Sequence, residues 1–191
     1  GKVLFPFKHA LSRIGFKVEV MADKVNDDAT GTNDDGSIVS DDIASGTVVS
    51  VQKVELIGKF VNSNTFNFAK NTWATPTDMT ADDYAYSLNY NETEASSDFV
   101  NTVANTVTTT ATKLNADDSY LMIIPKTFAT GDLLKIRVTY TVTTTDSNLA
   151  SSSVITNVIT SEQFAFSFVA GKAYTFNLHL GMTSVKFDAT V

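Results

Sequence analysis

The chain has 191 residues, of which 43% are hydrophobic, with no cysteine and a formal net charge of −7. That much apolar material excludes wholesale disorder, and the missing cysteines exclude disulfides and thiolate metal sites while leaving the compartment open. An acidic balance with scattered basic residues argues against a nucleic-acid partner, and no apolar run approaches the ~20 residues of a membrane span.

The abrupt start at Gly1, with no basic-then-apolar leader, reads as a processed or trimmed chain. Val3–Phe7 is apolar and extended, with Pro6 placing it at a sheet edge. A turn or bulge at HALSR precedes a strand over 14–21, where Ile14, Phe16, Val18 and Val20 share one face. Residues 23–46 are rich in Asp, Asn, Gly and Ser and read as a long exposed loop. Val48–Val61 returns to strand, with Gly58 as a bulge or a point of close approach. A turn at Asn62–Asn64 leads into Thr65–Ala69, predicting a hairpin between the two runs. Residues 70–83 read as loop, anchored by Trp73.

Tyr84, Tyr86, Leu88 and Tyr90 alternate with smaller or polar neighbours, and residues 91–98 are polar and irregular. Phe99–Val103 fits no single pattern. Val107–Leu114 predicts a threonine-rich strand, and Tyr120–Ile124 a short apolar one ended by Pro125. The cleanest alternation follows: Leu134, Ile136, Val138, Tyr140 and Val142 on one face, Lys135, Arg137, Thr139, Thr141 and Thr143 on the other. Val154–Thr160 is a strand whose threonine face looks polar. Phe164, Phe166 and Phe168, then Tyr174, Phe176, Leu178 and Leu180, then Val185, Phe187, Ala189 and Val191 predict three successive antiparallel strands.

No window carries an apolar stripe at helical spacing over three turns. The reading is an all-β protein of roughly nine or ten strands, mostly antiparallel, in a two-sheet β-sandwich. It treats 1–191 as a single domain with the 23–46 loop as an insertion.

The acidic loop is the stretch most able to bind an ion. Asp27, Asp28, Asp34 and Asp35, among other oxygens of 23–42, form a weak candidate calcium loop. The EF-hand pattern fails, because placing Gly36 at loop position six puts Gly31 at position one and Asp42 at position twelve. A solvated loop is the preferred reading, and no cofactor is expected. His9 and His179 would make a zinc site only by converging with a carboxylate. Ser12, Ser167 and Ser184 have no base at a suggestive distance, and there is neither a G-x-S-x-G elbow nor a phosphate-binding glycine loop. The acidic pairs Asp82–Asp83 and Asp117–Asp118 sit in predicted turns, where solubility explains them better than glycoside chemistry. Trp73, Tyr84, Tyr86 and Tyr90 could line a sugar-binding strip but are read first as core. No catalytic residues emerge, and the chain is read as a non-enzyme.

Three stretches together resemble one family. LFPFKHALSRIGFKVEV resembles the F-K-H-A-L-S-K/R strand that opens the second domain of the fimbrillin-like (Mfa-like and FimA-like, type V pilin) proteins of Bacteroidetes. YLMIIPK followed by LLKIRVTYTV resembles that family's "l-m-l-i-P-q … l-x-v-x-Y" strand pair, and AGKAYTFNLHLGMTSVKFDATV its closing G-K-x-Y … V-x-F-x-A-x-V pattern. Trp73, after VELIGKF and FNFAKNTWA, falls where the family often has a tryptophan. The chain lacks the closing tryptophan of many members, and its acidic insertion is unusually long.

The resemblance implies transthyretin-like sandwich topology and identifies the chain with the C-terminal domain of a longer protein. It implies a lipoprotein precursor that is exported to the outer membrane, trimmed by a protease and built into a cell-surface fimbria by strand exchange. Other fimbrial subunits are the implied partners, with host or bacterial surface ligands as further candidates. The terminal strand Thr183–Val191, with Val185, Phe187, Ala189 and Val191 spaced to fill successive pockets, is the candidate assembly strand. A secreted carbohydrate-binding or adhesin module is the alternative.

Overall fold

The computed structural model describes residues 9–20, 47–89, 99–100, 106–107, 110–114, 120–129, 131–145, 151–180 and 185–190. Among these residues there is no helix, and eleven strands form two sheets. In chain order they are β1 (Ser12–Val20), β2 (Thr47–Ile57), β3 (Ala85–Asn89), β4 (Phe99–Val100), β5 (Thr106–Val107), β6 (Thr112–Lys113), β7 (Leu121–Ile123), β8 (Lys135–Thr144), β9 (Ser153–Thr160), β10 (Ala173–Leu180) and β11 (Val185–Thr190).

The five-stranded sheet has β1 and β10 at its centre, paired in parallel from Arg13↔Ala173 to Val20↔Leu180. β6 and β7 share the outer side of β1, and β11 runs antiparallel along β10. The six-stranded sheet runs β9–β8–β2–β3–β4, with β5 beside the other half of β2. Its long ladder, β8 on β2, slips one position between Thr139 and Tyr140, so Gln52 is the extra residue of a bulge.

Alternation sets which face each strand buries. Ile14, Phe16, Val18, Phe176 and Leu178 from one sheet meet Val49, Val51, Val54, Ile136, Val138 and Tyr140 from the other in a single hydrophobic cluster. Each of these is no more than 2% exposed. The two-sheet β-sandwich expected from the sequence is therefore the architecture found. One end of the core is aromatic: Phe176 lies 5.2 Å from Phe166 and 5.9 Å from Phe16 between ring centroids, and Phe168 lies 5.3 Å from Tyr174. The Tyr174 hydroxyl accepts a hydrogen bond from the Val169 amide at 3.0 Å, which satisfies both groups at that end.

Several local expectations are corrected. Phe164–Phe168 does not join β10 and β11. Phe166–Ser167 pairs instead with Thr127–Phe128 in a separate two-stranded ribbon, Phe164 bridges to Leu134, and Phe168 enters the core with Phe164 and Phe166 packed against it. The hairpin between 48–61 and 65–69 does not form, because β2 is occupied by β3, β5 and β8. Val61–Ser63 pairs with Asp78–Met79, and Phe66–Asn67 with Thr72–Trp73. Val107–Leu114 is not one strand: β5 belongs to one sheet and β6 to the other, with Val107 and Leu114 both buried where the chain crosses.

Gly58 is a close approach rather than the bulge. A Cβ there would stand 3.0 Å from both Leu134 Cδ2 and Phe128 Cε1. The Val3–Phe7 strand, the 23–46 loop, Asp117–Asp118, Ser184 and Tyr90 lie outside the described residues.

Candidate functional site

The candidate assembly strand is an edge. β11 pairs with β10 from Thr175↔Thr190 to Leu180↔Val185, and among the described residues nothing pairs on its far side. The register sets Val185, Phe187 and Ala189 opposite Leu180, Leu178 and Phe176, three core positions at most 1% exposed. Val191 lies outside the described residues, as do Asp27, Asp28, Asp34 and Asp35 of the acidic loop.

Among the described residues the other sheet ends on β9, which sequence reasoning read only as a strand with a polar threonine face. It pairs with β8 from Thr144↔Ser153 to Arg137↔Thr160. Val154 is 60% exposed, Ile155 58% and Val158 61%. The signal was present in V-I-T-N-V-I-T: unlike β8 or β10, this strand carries large aliphatic side chains at both odd and even positions.

Beside β2 and β8 lies a buried ionic pair that the sequence did not single out. Glu55 and Arg137 are cross-strand neighbours, and the guanidinium donates two hydrogen bonds to the carboxylate at 2.6 and 2.7 Å. Lys53 Nζ lies 3.5 Å from the same carboxylate. Glu55 is only 4% exposed. Burial by itself pushes its pKa up, but the hydrogen bonds and charge of Arg137, helped by Lys53, outweigh it and hold the carboxyl below the ordinary value. This fork pins the β2–β8 ladder from its outer side.

The remaining candidates separate. His179 faces Glu19 across the β1–β10 ladder, Nδ1 to Oε1 at 2.6 Å, while His9 lies in a shallow groove with Arg13, Tyr120 and Met122. The two histidines therefore do not converge, and among the described residues no group of three side chains could hold a metal ion. Ser12 is buried, its hydroxyl donating to the Val169 carbonyl at 2.9 Å, and Ser167 donates to Thr127 Oγ1 at 3.1 Å. Asp82 is paired with Lys59 at 2.8 Å on the surface.

The aromatic strip divides as well. Tyr86 packs edge-on against Phe60, with Tyr84 behind it, so that pair belongs to the core rim. Trp73 is the anchor expected of it, its indole N–H donating to the Ala10 carbonyl at 2.7 Å. The Tyr120 ring is capped by the Arg13 guanidinium at 4.3 Å and by Lys113 at 5.2 Å, so cations occupy where a sugar would stack. Among the described residues one aromatic ring stands largely open. Phe68, at the end of the Phe66–Trp73 ribbon, is 88% exposed, with Phe66 edge-on to it at 5.2 Å.

Among solved structures, the chain is similar to a fimbrial protein from Bacteroides vulgatus ATCC 8482, with a TM-score of 0.49 and 16% identity over 96% of this chain and 54% of that one. It is also similar to a candidate cell adhesion protein from Bacteroides uniformis ATCC 8492, with a TM-score of 0.34 and 16% identity over 98% and 52% of the two chains. The chain thus spans about half the length of either solved chain, and at this identity the likeness concerns the fold alone. No protein-family model matches the chain, and no curated protein does.

Proposed function

We propose that the protein is a structural subunit of a cell-surface fimbria or pilus, exported to the outer membrane, whose subunits are joined by strand exchange through Val185–Thr190. The strand patterns shared with the fimbrillin-like family suggest the role, and the position of β11 carries the mechanism. An edge strand held by one ladder can leave without breaking a second one. Its departure would uncover Phe176, Leu178 and Leu180, now at most 1% exposed. At about 25 cal/mol per Å² of apolar surface, uncovering even part of them costs several kcal/mol, so free detachment is disfavoured. An equivalent strand from a neighbour would remove that cost. Exchange is thus the favourable route, and the partners are subunits of the same or related type. Size analysis of the full-length, protease-trimmed protein tests this. Phe187→Asp should abolish assembly while leaving the subunit soluble, and unchanged assembly by this variant would contradict the role given to the strand.

Phe68 favours a second reading, an adhesive or carbohydrate-binding module, which is compatible with the first. An open aromatic ring at a ribbon tip can stack on the apolar face of a sugar. A glycan array run with wild type and Phe68→Ala decides it: binding that Phe68→Ala loses supports this reading, and no binding by wild type removes it.

A further inference from the structure

β9 presents apolar side chains on both of its faces along an edge that is hydrogen-bonded on one side only among the described residues. Ile155, Asn157 and Ile159 oppose the buried Val142, Tyr140 and Val138, so they continue the core face outward. Val154, Thr156, Val158 and Thr160 stand on the other face, opposite Thr143, Thr141, Thr139 and Arg137. The usual protections of an edge are absent from the strand: it contains no lysine, no proline and no bulge against its partner.

An added strand would have to match aliphatic side chains on the core face and offer aliphatic or threonine side chains on the other. β8 and β10 do not, since each alternates a buried position with a less buried one. β9 itself does. Set antiparallel to a second copy with Asn157 facing Asn157, it brings Ile155 against Ile159 on the core face. On the outer face Val154 meets Thr160, and Thr156 meets Val158. Moving the centre to Thr156 would bring Val154 against Val158 on the outer face but put Ile155 against Asn157 and Ile159 against Ser153 on the core face, a poorer match where the core is continued. Charge also permits the pairing. Residues 151–161 are all uncharged, so two copies of a chain with net charge −7 meet here without like charges opposite each other.

We propose that Ser153–Thr160 is a self-pairing edge, joining two copies about a two-fold axis at Asn157 so that their six-stranded sheets become continuous. The contact is isologous and closes at two copies. It uses an edge of the other sheet from the one assigned to strand exchange and does not depend on that reading.

The absence of cysteine makes a direct test available. Residues facing each other across an antiparallel pair have Cα atoms about 4.5–5.5 Å apart, within the span of a disulfide. In the full chain, Asn157→Cys should therefore be captured as a covalent dimer under mild oxidation, far faster than Thr156→Cys in the same strand or Thr72→Cys on an exposed surface elsewhere. Sedimentation of the wild type across a dilution series should show a monomer–dimer equilibrium, and Val158→Lys should weaken it by at least about tenfold. Val158 is exposed, so unfolding curves of that variant should match the wild type at dilutions where both are monomeric.

A wild type that stays monomeric throughout, or an Asn157→Cys that cross-links no faster than Thr72→Cys, overturns the proposal. Faster capture of Thr156→Cys than of Asn157→Cys overturns the register. Open-ended oligomers in place of a dimer overturn the two-fold axis. Protection, in a monomer, of the β9 amides that point away from β8 would mean that another part of this chain covers the edge, which also overturns it.

Discussion

Four other phenylalanine rings converge on Phe176, at 5.2 to 6.4 Å between centroids from Phe166, Phe16, Phe164 and Phe168. The ring is fully buried, so Phe176→Ala should cost about 3–5 kcal/mol in lost transfer energy and cavity, read by denaturant unfolding. A loss under about 1 kcal/mol would show that the cluster collapses around the gap. The converse fault is available at Gly58. A methyl group there meets Leu134 and Phe128 at 3.0 Å, and Gly58→Ala should cost about 1–2 kcal/mol by overpacking.

The Glu55–Arg137 pair gives a pH-dependent expectation. Because the folded pKa of Glu55 lies below its unfolded value, its stabilising contribution is complete above the unfolded value and is lost as pH falls through the folded one. Arg137→Met leaves the buried carboxylate without its fork. We expect about 2 kcal/mol of destabilisation near neutral pH, less than for a fully buried pair because the Arg137 side chain is 37% exposed and Lys53 remains. The gap between the two proteins should narrow as pH falls, because protonating Glu55 removes the charge the fork holds in the wild type and relieves the unforked buried carboxylate in the variant. Unfolding series between about pH 3 and pH 7 would show both effects, and superimposable profiles would remove the pair from the account.

At the scale of elements, the ribbon carrying Phe66 and Trp73 is tied to β1's approach by the bond from the Trp73 indole to Ala10. Trp73→Phe keeps the ring against Phe66, 5.0 Å away, and removes only the donor. It should cost about 1 kcal/mol and speed proteolysis within 66–73; unchanged cleavage would mean ring packing alone holds the ribbon.

The same scale shows what the sequence could and could not convey. β8, β1 and β10 were legible because each buries one face against the opposite sheet, and period-two alternation reports that burial directly. Alternation does not report the partner. Phe164, Phe166 and Phe168 are core residues with the spacing of a sheet strand, yet they reach the core from a two-residue ribbon. Val107 and Leu114 look like the two ends of one strand because both are buried, although the backbone changes sheets between them. The apparent hairpin after Val61 rested on turn residues alone, and longer ladders already filled both sides of β2. β9 was legible as a strand but not as an exposed edge, since edge position depends on which strands never arrive beside it. Of the candidate assembly strand, the extended pattern is readable in its alternating residues, and the pairing with β10 needed the fold.

For the whole molecule, the two sheets end on different kinds of edge. Among the described residues one sheet ends on β11, whose register sets it against buried positions of β10; the other ends on β9, whose own aliphatic side chains stand in solvent. The first arrangement suits an element that is replaced, the second an element that is added to. The central claim is that β11 moves during assembly. Because the chain has no cysteine, Asn177→Cys with Asp188→Cys, facing each other across the β10–β11 ladder, would create one disulfide that staples the strand to its own sheet. The decisive measurement is assembly of the full-length, trimmed protein carrying this staple, followed by size analysis in its oxidised and reduced forms. The account predicts that the oxidised, folded protein stays as single subunits and that reduction restores assembly. Equal assembly in both forms would contradict it.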